Sequence, residues 1–174
     1  VDSVITDAQK HGIAERGIPV FANAKSACLS CHKIGHHGAT VGPDLTKIGR
    51  ERTPQQIVES VFWPKRDVKP EYSAVSIVKS DGRVIRGYKV NASPKSVILK
   101  DPTNATLVSI PRDEIEAEVV NGTLMPDGLT SAMSRPQQLD LVQFLLSLGK
   151  DDGPSLDVVN SSCPISETGS SLKS

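Results

Sequence analysis

The chain has 174 residues, 37% of them apolar and 23% charged, with 20 basic side chains against 20 acidic ones. That composition suits one soluble domain with a smaller satellite, and zero net charge provides no cationic field for a phosphate backbone or an anionic membrane surface. No apolar run approaches the roughly 18 residues of a spanning helix, so neither nucleic-acid binding nor a membrane span is expected.

Over residues 7–27, Ile13, Gly17, Val20, Phe21 and Ala24 recur at helical intervals, with Pro19 expected to interrupt the helix locally and His11 on its surface. This helix delivers the chain to Cys28-Leu29-Ser30-Cys31-His32, the CxxCH pattern of c-type haem attachment. Two thiols three positions apart can add across the two vinyl groups on one edge of the macrocycle, and the adjacent His32 then becomes the proximal ligand. A dithiol redox pair needs no following histidine, and half a zinc site needs a second Cys/His pair. His36 and His37 lie in a glycine-containing loop without a regular ligand frame and read as solvent-facing. With only 3% aromatic residues, a core of this size is short of large flat side chains, which a buried porphyrin would supply. Covalent haem attachment takes place outside the cytoplasm, so export to the periplasm or an equivalent compartment is expected. Because Val1 opens no basic-then-apolar leader, a mature form or an excised domain is expected too.

Residues 35–50 read as a glycine-rich loop ending in Gly42-Pro43-Asp44-Leu45. Thr53-Pro54-Gln55-Gln56 predicts a helix start closed by a capping box, with Ile57, Val58 and Val61 on its apolar side and Pro64 as its stop. From Tyr72 the hydrophobic period changes to two: Val75 and Ile77, an Asp81-Gly82 turn, then Val84, Tyr88 and Val90. Further runs at 97–99 and 105–110, and Ile115, Ala117 and Val119 alternating with Glu114, Glu116 and Glu118, bring the expectation to about five strands, a small twisted sheet or barrel. Ser134-Arg135-Pro136-Gln137 predicts a second capping box. It opens a helix with Leu139, Val142, Leu145, Leu146 and Leu148 in one apolar stripe, ended by Gly149. Residues 150–174 are Ser-rich and read as linker or disorder, with Cys163 an incidental or intermolecular thiol.

A second strong-field ligand would let the iron shuttle electrons without reorganising, and the chain has two methionines. Met125, in Leu124-Met125-Pro126-Asp127-Gly128-Leu129, lies in a non-regular segment able to present sulfur across a haem, whereas Met133 stands beside a helix start. A core gap-filler is the alternative for Met125. A thioether is uncharged and soft, and it raises the potential relative to a second imidazole.

These segments together resemble class I cytochrome c: a first helix with Gly17 and Phe21, Cys28 to His32, Gly42-Pro43-Asp44-Leu45, a Met-Pro loop and a closing helix carrying Phe144. More narrowly, Arg16-Gly17, Asp81-Gly82-Arg83 and the stretches 64–72, 124–129 and 140–148 are similar to the haem-binding domain common in planctomycete and verrucomicrobial multidomain proteins. The resemblance covers about residues 12–149 and leaves the tail and Cys163 outside it. It implies an α+β protein: a class I cytochrome c-like helical haem domain (1–71 and 121–149) with an inserted small antiparallel β domain (72–120) and a tail (150–174). It further implies one covalent haem c, a Pro43 carbonyl that holds the His32 imidazole, and a helix crossing at Gly17, Phe21 and Phe144. Trp63 and Tyr72 would border the haem or its propionates, or else pack where insertion meets core. The function implied is electron transfer with a redox protein or a fused dehydrogenase domain, without enzymatic activity of its own. Two alternatives stay open: a haem sensor or peroxidase with a displaceable Met125, which would need distal acid/base groups such as Arg135, and a binding module with structural haem that uses Tyr88 and the glutamate face.

Overall fold

A computed structural model of the chain describes residues 1–23, 27–151, 153 and 154. Ala24, Cys163 and nearly all of the expected tail lie outside the described residues.

The first expected helix is two, α1 (Asp2–His11) and α2 (Ala14–Ala22). The break falls at Gly12 and Ile13 rather than at Pro19. A Cβ on Gly12 would lie 2.6 Å from the carbonyl oxygens of both Ala8 and Leu139, and the Ile13 N–H donates to Asp140 Oδ1 at 2.8 Å. Pro19 sits inside α2, where burial of Gly17, Ile18, Val20 and Phe21 outweighs the hydrogen bond that a proline forfeits. His11 is exposed at the end of α1.

In and beside the loop expected at 35–50 lie a two-residue ladder, β1 (Lys33–Ile34) with β2 (His37–Gly38), and a short helix, α3 (Ile48–Glu51). Helix α4 (Pro54–Phe62) starts with both halves of its capping box in place: Thr53 Oγ1 accepts the Gln56 N–H at 3.2 Å, and Gln56 Oε1 accepts the Thr53 N–H at 3.0 Å. In α5 (Arg135–Ser147), Gln137 Oε1 accepts the Ser134 N–H at 2.9 Å. The stripe expected on α5 is buried at Leu139, Val142, Leu145, Leu146 and Leu148, and burial extends beyond it to Asp140, Leu141 and Phe144. The helix is enclosed because α1, α2, α3 and α4 all pack on it. Gly17 permits the crossing of α2 over α5, since a Cβ there would lie 2.2 Å from the Asp140 carbonyl oxygen. Beside it the Phe21 and Phe144 rings meet edge to face with centroids 5.6 Å apart.

Strands β3 (Ala74–Lys79), β4 (Val84–Ala92), β5 (Ser96–Lys100), β6 (Leu107–Pro111) and β7 (Ile115–Gly122) form an antiparallel sheet in the order β6-β5-β4-β3-β7. Gly82, at φ +83°, turns the β3–β4 hairpin. Val75, Ile77, Val97, Leu99 and Ile110 make a core separate from that of the helices. The alternation read over 114–119 does not give β7 a buried apolar face. Val119 and Val120 are exposed on an edge strand, while Glu118 is paired with Lys89 and Arg112, and Glu114 with Lys79 at 2.6 Å.

The expected fold class, a class I cytochrome c-like helical domain with a small β appendage, is therefore corrected. Among the described residues the protein is a mixed helix/strand fold dominated by the five-stranded antiparallel sheet, with five α-helices of which α3 has four residues. The physical reason is that residues 74–122 close a sheet around a core of their own, whereas the helices are short. No helix among the described residues is long and apolar enough to cross a membrane.

Candidate functional site

After α2 the chain passes through Ala27, in the left-handed region at φ 52°, into a 3-10 turn at Cys28–Ser30. The Cys31 N–H closes this turn on the Cys28 carbonyl at 3.1 Å, and the His32 N–H donates to the same oxygen at 2.8 Å. Residues three apart eclipse in such a turn, which brings the side chains of Cys28 and Cys31 to one side. Neither cysteine is in a disulfide. Burial pushes the Cys28 thiol up to about 11, with Cys31 adding to the shift.

His32 is fixed from outside the turn. Its Nδ1 lies 2.9 Å from the Pro43 carbonyl oxygen, which leaves Nε2 as the ring nitrogen open to a metal. Burial pushes the imidazole pKa down, and the Pro43 bond partly opposes that, so the ring is neutral, the form that ligates metals. The loop bearing Pro43 is laced to the turn by Ala39 N–H to the Leu29 carbonyl (3.0 Å), Gly42 N–H to that of Cys31 (2.7 Å) and Leu45 N–H to that of Lys33 (2.8 Å). A Cβ on Gly42 would stand 2.7 Å from His32 Cε1, so only glycine lets the loop approach the ring this closely.

Cys28, Cys31, His32 and Met125 line one cavity of about 360 Å³, within the range of roughly 300–1,000 Å³ common to small-molecule and cofactor sites. Its floor includes Phe21, Leu141 and Leu145 from the helical core, and α4 supplies Ile57 and Val61. The Met125 segment follows Gly122 at the end of β7, and the Met125 N–H donates to Thr123 Oγ1 at 3.0 Å.

Of the residues singled out in the sequence, the structure brings Cys28, Cys31, His32, Pro43, Tyr72 and Met125 to this cavity. Trp63 is not among its walls. It is 41% exposed, packs against Phe62 with ring centroids 5.8 Å apart and carries the Arg66 guanidinium 4.8 Å from its ring centroid. Its ring is engaged at the surface, just before the buried Pro64 that does line the cavity. Arg135 also stays away, paired with Asp7 at 2.6 Å. Met133 and Tyr88 are among the cavity walls that the sequence did not single out as such. Met133 packs on the helical core and lines the cavity beside Met125. Tyr88, from β4, lines it beside Tyr72, the two rings edge to face at 5.8 Å. The only sequence signal for Tyr88 was its inward parity with Val84 and Val90, and both of those valines are exposed.

The donor set fits a covalently held haem: two cysteines outside any disulfide, a neutral imidazole held through Nδ1 and a thioether, around a mostly apolar cavity. No protein-family model matches the chain, and no curated protein matches it.

Proposed function

We propose that this chain is a mono-haem c-type electron carrier, in which Cys28 and Cys31 would anchor the haem through thioethers and His32 and Met125 would ligate its iron. The observation that carries the reading is the convergence of these four side chains on one apolar cavity with the His32 ring held by Pro43. The motif resemblance to c-type cytochromes supports it further. Haem bound there supplies a one-electron Fe(III)/Fe(II) couple. The protein's part is to hold the imidazole in one orientation through Pro43, to present an uncharged sulfur from the Met125 segment, and to exclude water with the apolar floor. No side chain is assigned the making or breaking of a substrate bond. The partner is a redox protein or a fused dehydrogenase domain, and the compartment is the exported one in which haem c is attached.

Visible spectra of the matured protein in both oxidation states test the proposal. The oxidised form is expected to show the sulfur-to-iron charge-transfer band, and Met125→Ala to abolish it. A band that survives in the Met125→Ala protein excludes Met125 as ligand and points to Met133, whereas a colourless or zinc-loaded protein overturns the whole reading. Carbon monoxide binding to the reduced wild type at neutral pH favours instead a sensor or peroxidase.

A further inference from the structure

Tyr88 is the one residue of strands β3 to β7 that lines the cavity. It is 7% exposed, and the hydrogen bonds of the described residues include none to its hydroxyl, which is not sealed off: the enclosed side-chain polar atom without a partner among them is Gln143 Oε1. A hydroxyl that keeps access at an apolar cavity can be hydrated while the cavity is open, but it loses that water and needs a partner once a cofactor covers it, a cost that phenylalanine would not carry. The ring is held firmly: Tyr88 is in register with Ala74 of β3, and Tyr72, in the 3-10 turn leading to β3, meets it edge to face at 88°. Burial pushes the phenol's pKa up, so the hydroxyl stays protonated and able to donate throughout the neutral range.

We infer that the sheet forms a wall of the cofactor site and that Tyr88 is a positioning residue, donating a hydrogen bond to an acceptor atom of the bound haem. The inference rests on the haem reading above. It makes the reduction equilibrium depend on a residue outside the helical body that carries the cysteines.

The test compares the wild-type holoprotein with two variants: Tyr88→Phe, which removes only the hydroxyl, and the protein carrying 3-fluorotyrosine at position 88, a more acidic donor of nearly the same shape. The readout is the oxidised-to-reduced ratio against a fixed mediator couple. Tyr88→Phe is expected to move that ratio about three- to tenfold, the size of one neutral hydrogen bond, with 3-fluorotyrosine moving it in the opposite sense. Both variants are expected to keep covalent haem and the sulfur-to-iron band. Should Tyr88→Phe fail to fold, the 3-fluorotyrosine shift alone decides. Ratios that coincide with wild type overturn the inference and leave Tyr88 a packing residue. Wild-type protein without covalent haem overturns instead the reading of the site.

Discussion

Asp140 is 5% exposed and carries two duties at once. Its carboxylate receives Arg16 in a two-point contact, Nε to Oδ2 and Nη2 to Oδ1, both at 3.0 Å, and Oδ1 also accepts the Ile13 N–H at the break between α1 and α2. Removing it strands a backbone donor and a guanidinium. Arg16, with 55% of its side chain exposed, can return to water, so the larger part of the cost falls on the Ile13 amide. Asp140→Ala is therefore expected to lose about 1–3 kcal/mol of stability, and Arg16→Ala less. Urea unfolding of the two variants checks this, and equal losses would mean that the ion pair rather than the amide cap is what matters. Local chemistry of this kind is only partly legible in a sequence. The CxxCH spacing and the Pro43 contact could be anticipated because they turn on short-range geometry or on a known motif. The partnership of Asp140 with Ile13 could not, because it joins groups far apart in the chain.

At the level of elements, the β3–β4 hairpin is tied by charge as well as by its turn. Asp81 receives the Arg83 N–H at 3.0 Å and the Arg83 Nε at 2.8 Å, while the buried Lys79 reaches Glu114 and lies 3.8 Å from Asp81. Chiefly through the Arg83 side chain, the Asp81 carboxyl is held down to about 2. Because that folded value is depressed, the contribution to stability is complete above the unfolded value near pH 4 and is lost as pH falls through about 2. An NMR titration of the Asp81 carboxyl is expected to show the low midpoint in the wild type and a return toward the ordinary carboxylate range in Arg83→Ala. A wild-type midpoint near 4 would contradict the pairing. The hairpin was readable from Asp81-Gly82 and the period of two around it, and the two helix starts from Thr53 to Gln56 and Ser134 to Gln137. Local signals failed where tertiary contacts decide. Pro19 lies within α2 because that helix is buried, the α1–α2 break sits where Leu139 and Asp140 approach, and β7 exposes Val119 and Val120 because the sheet ends there.

For the whole molecule the open question is whether sheet and helices are one working unit. Their apolar cores are separate, and Ala74 is in register with Gly122, so the two ends of the sheet segment are neighbours that a short turn could join. Taking out residues 74–122 in favour of such a turn should leave α1 to α5 packed, since none of their core residues lies in the sheet. The cavity fares differently. It loses Tyr88, Tyr72 loses the ring against which it stands, and the Met125 segment loses the strand from which it departs. On the proposed function, the shortened protein is expected to retain haem on Cys28 and Cys31 with His32 beneath it. Ligation by Met125 should weaken, so that the sulfur-to-iron band fades in the oxidised form and carbon monoxide binds the reduced form. Circular dichroism separates this outcome from simple unfolding, because helical signal should persist while the sheet contribution disappears. A shortened protein with an undiminished band would show that the helices alone define the ligand field, and that the sheet serves something other than the cavity it borders.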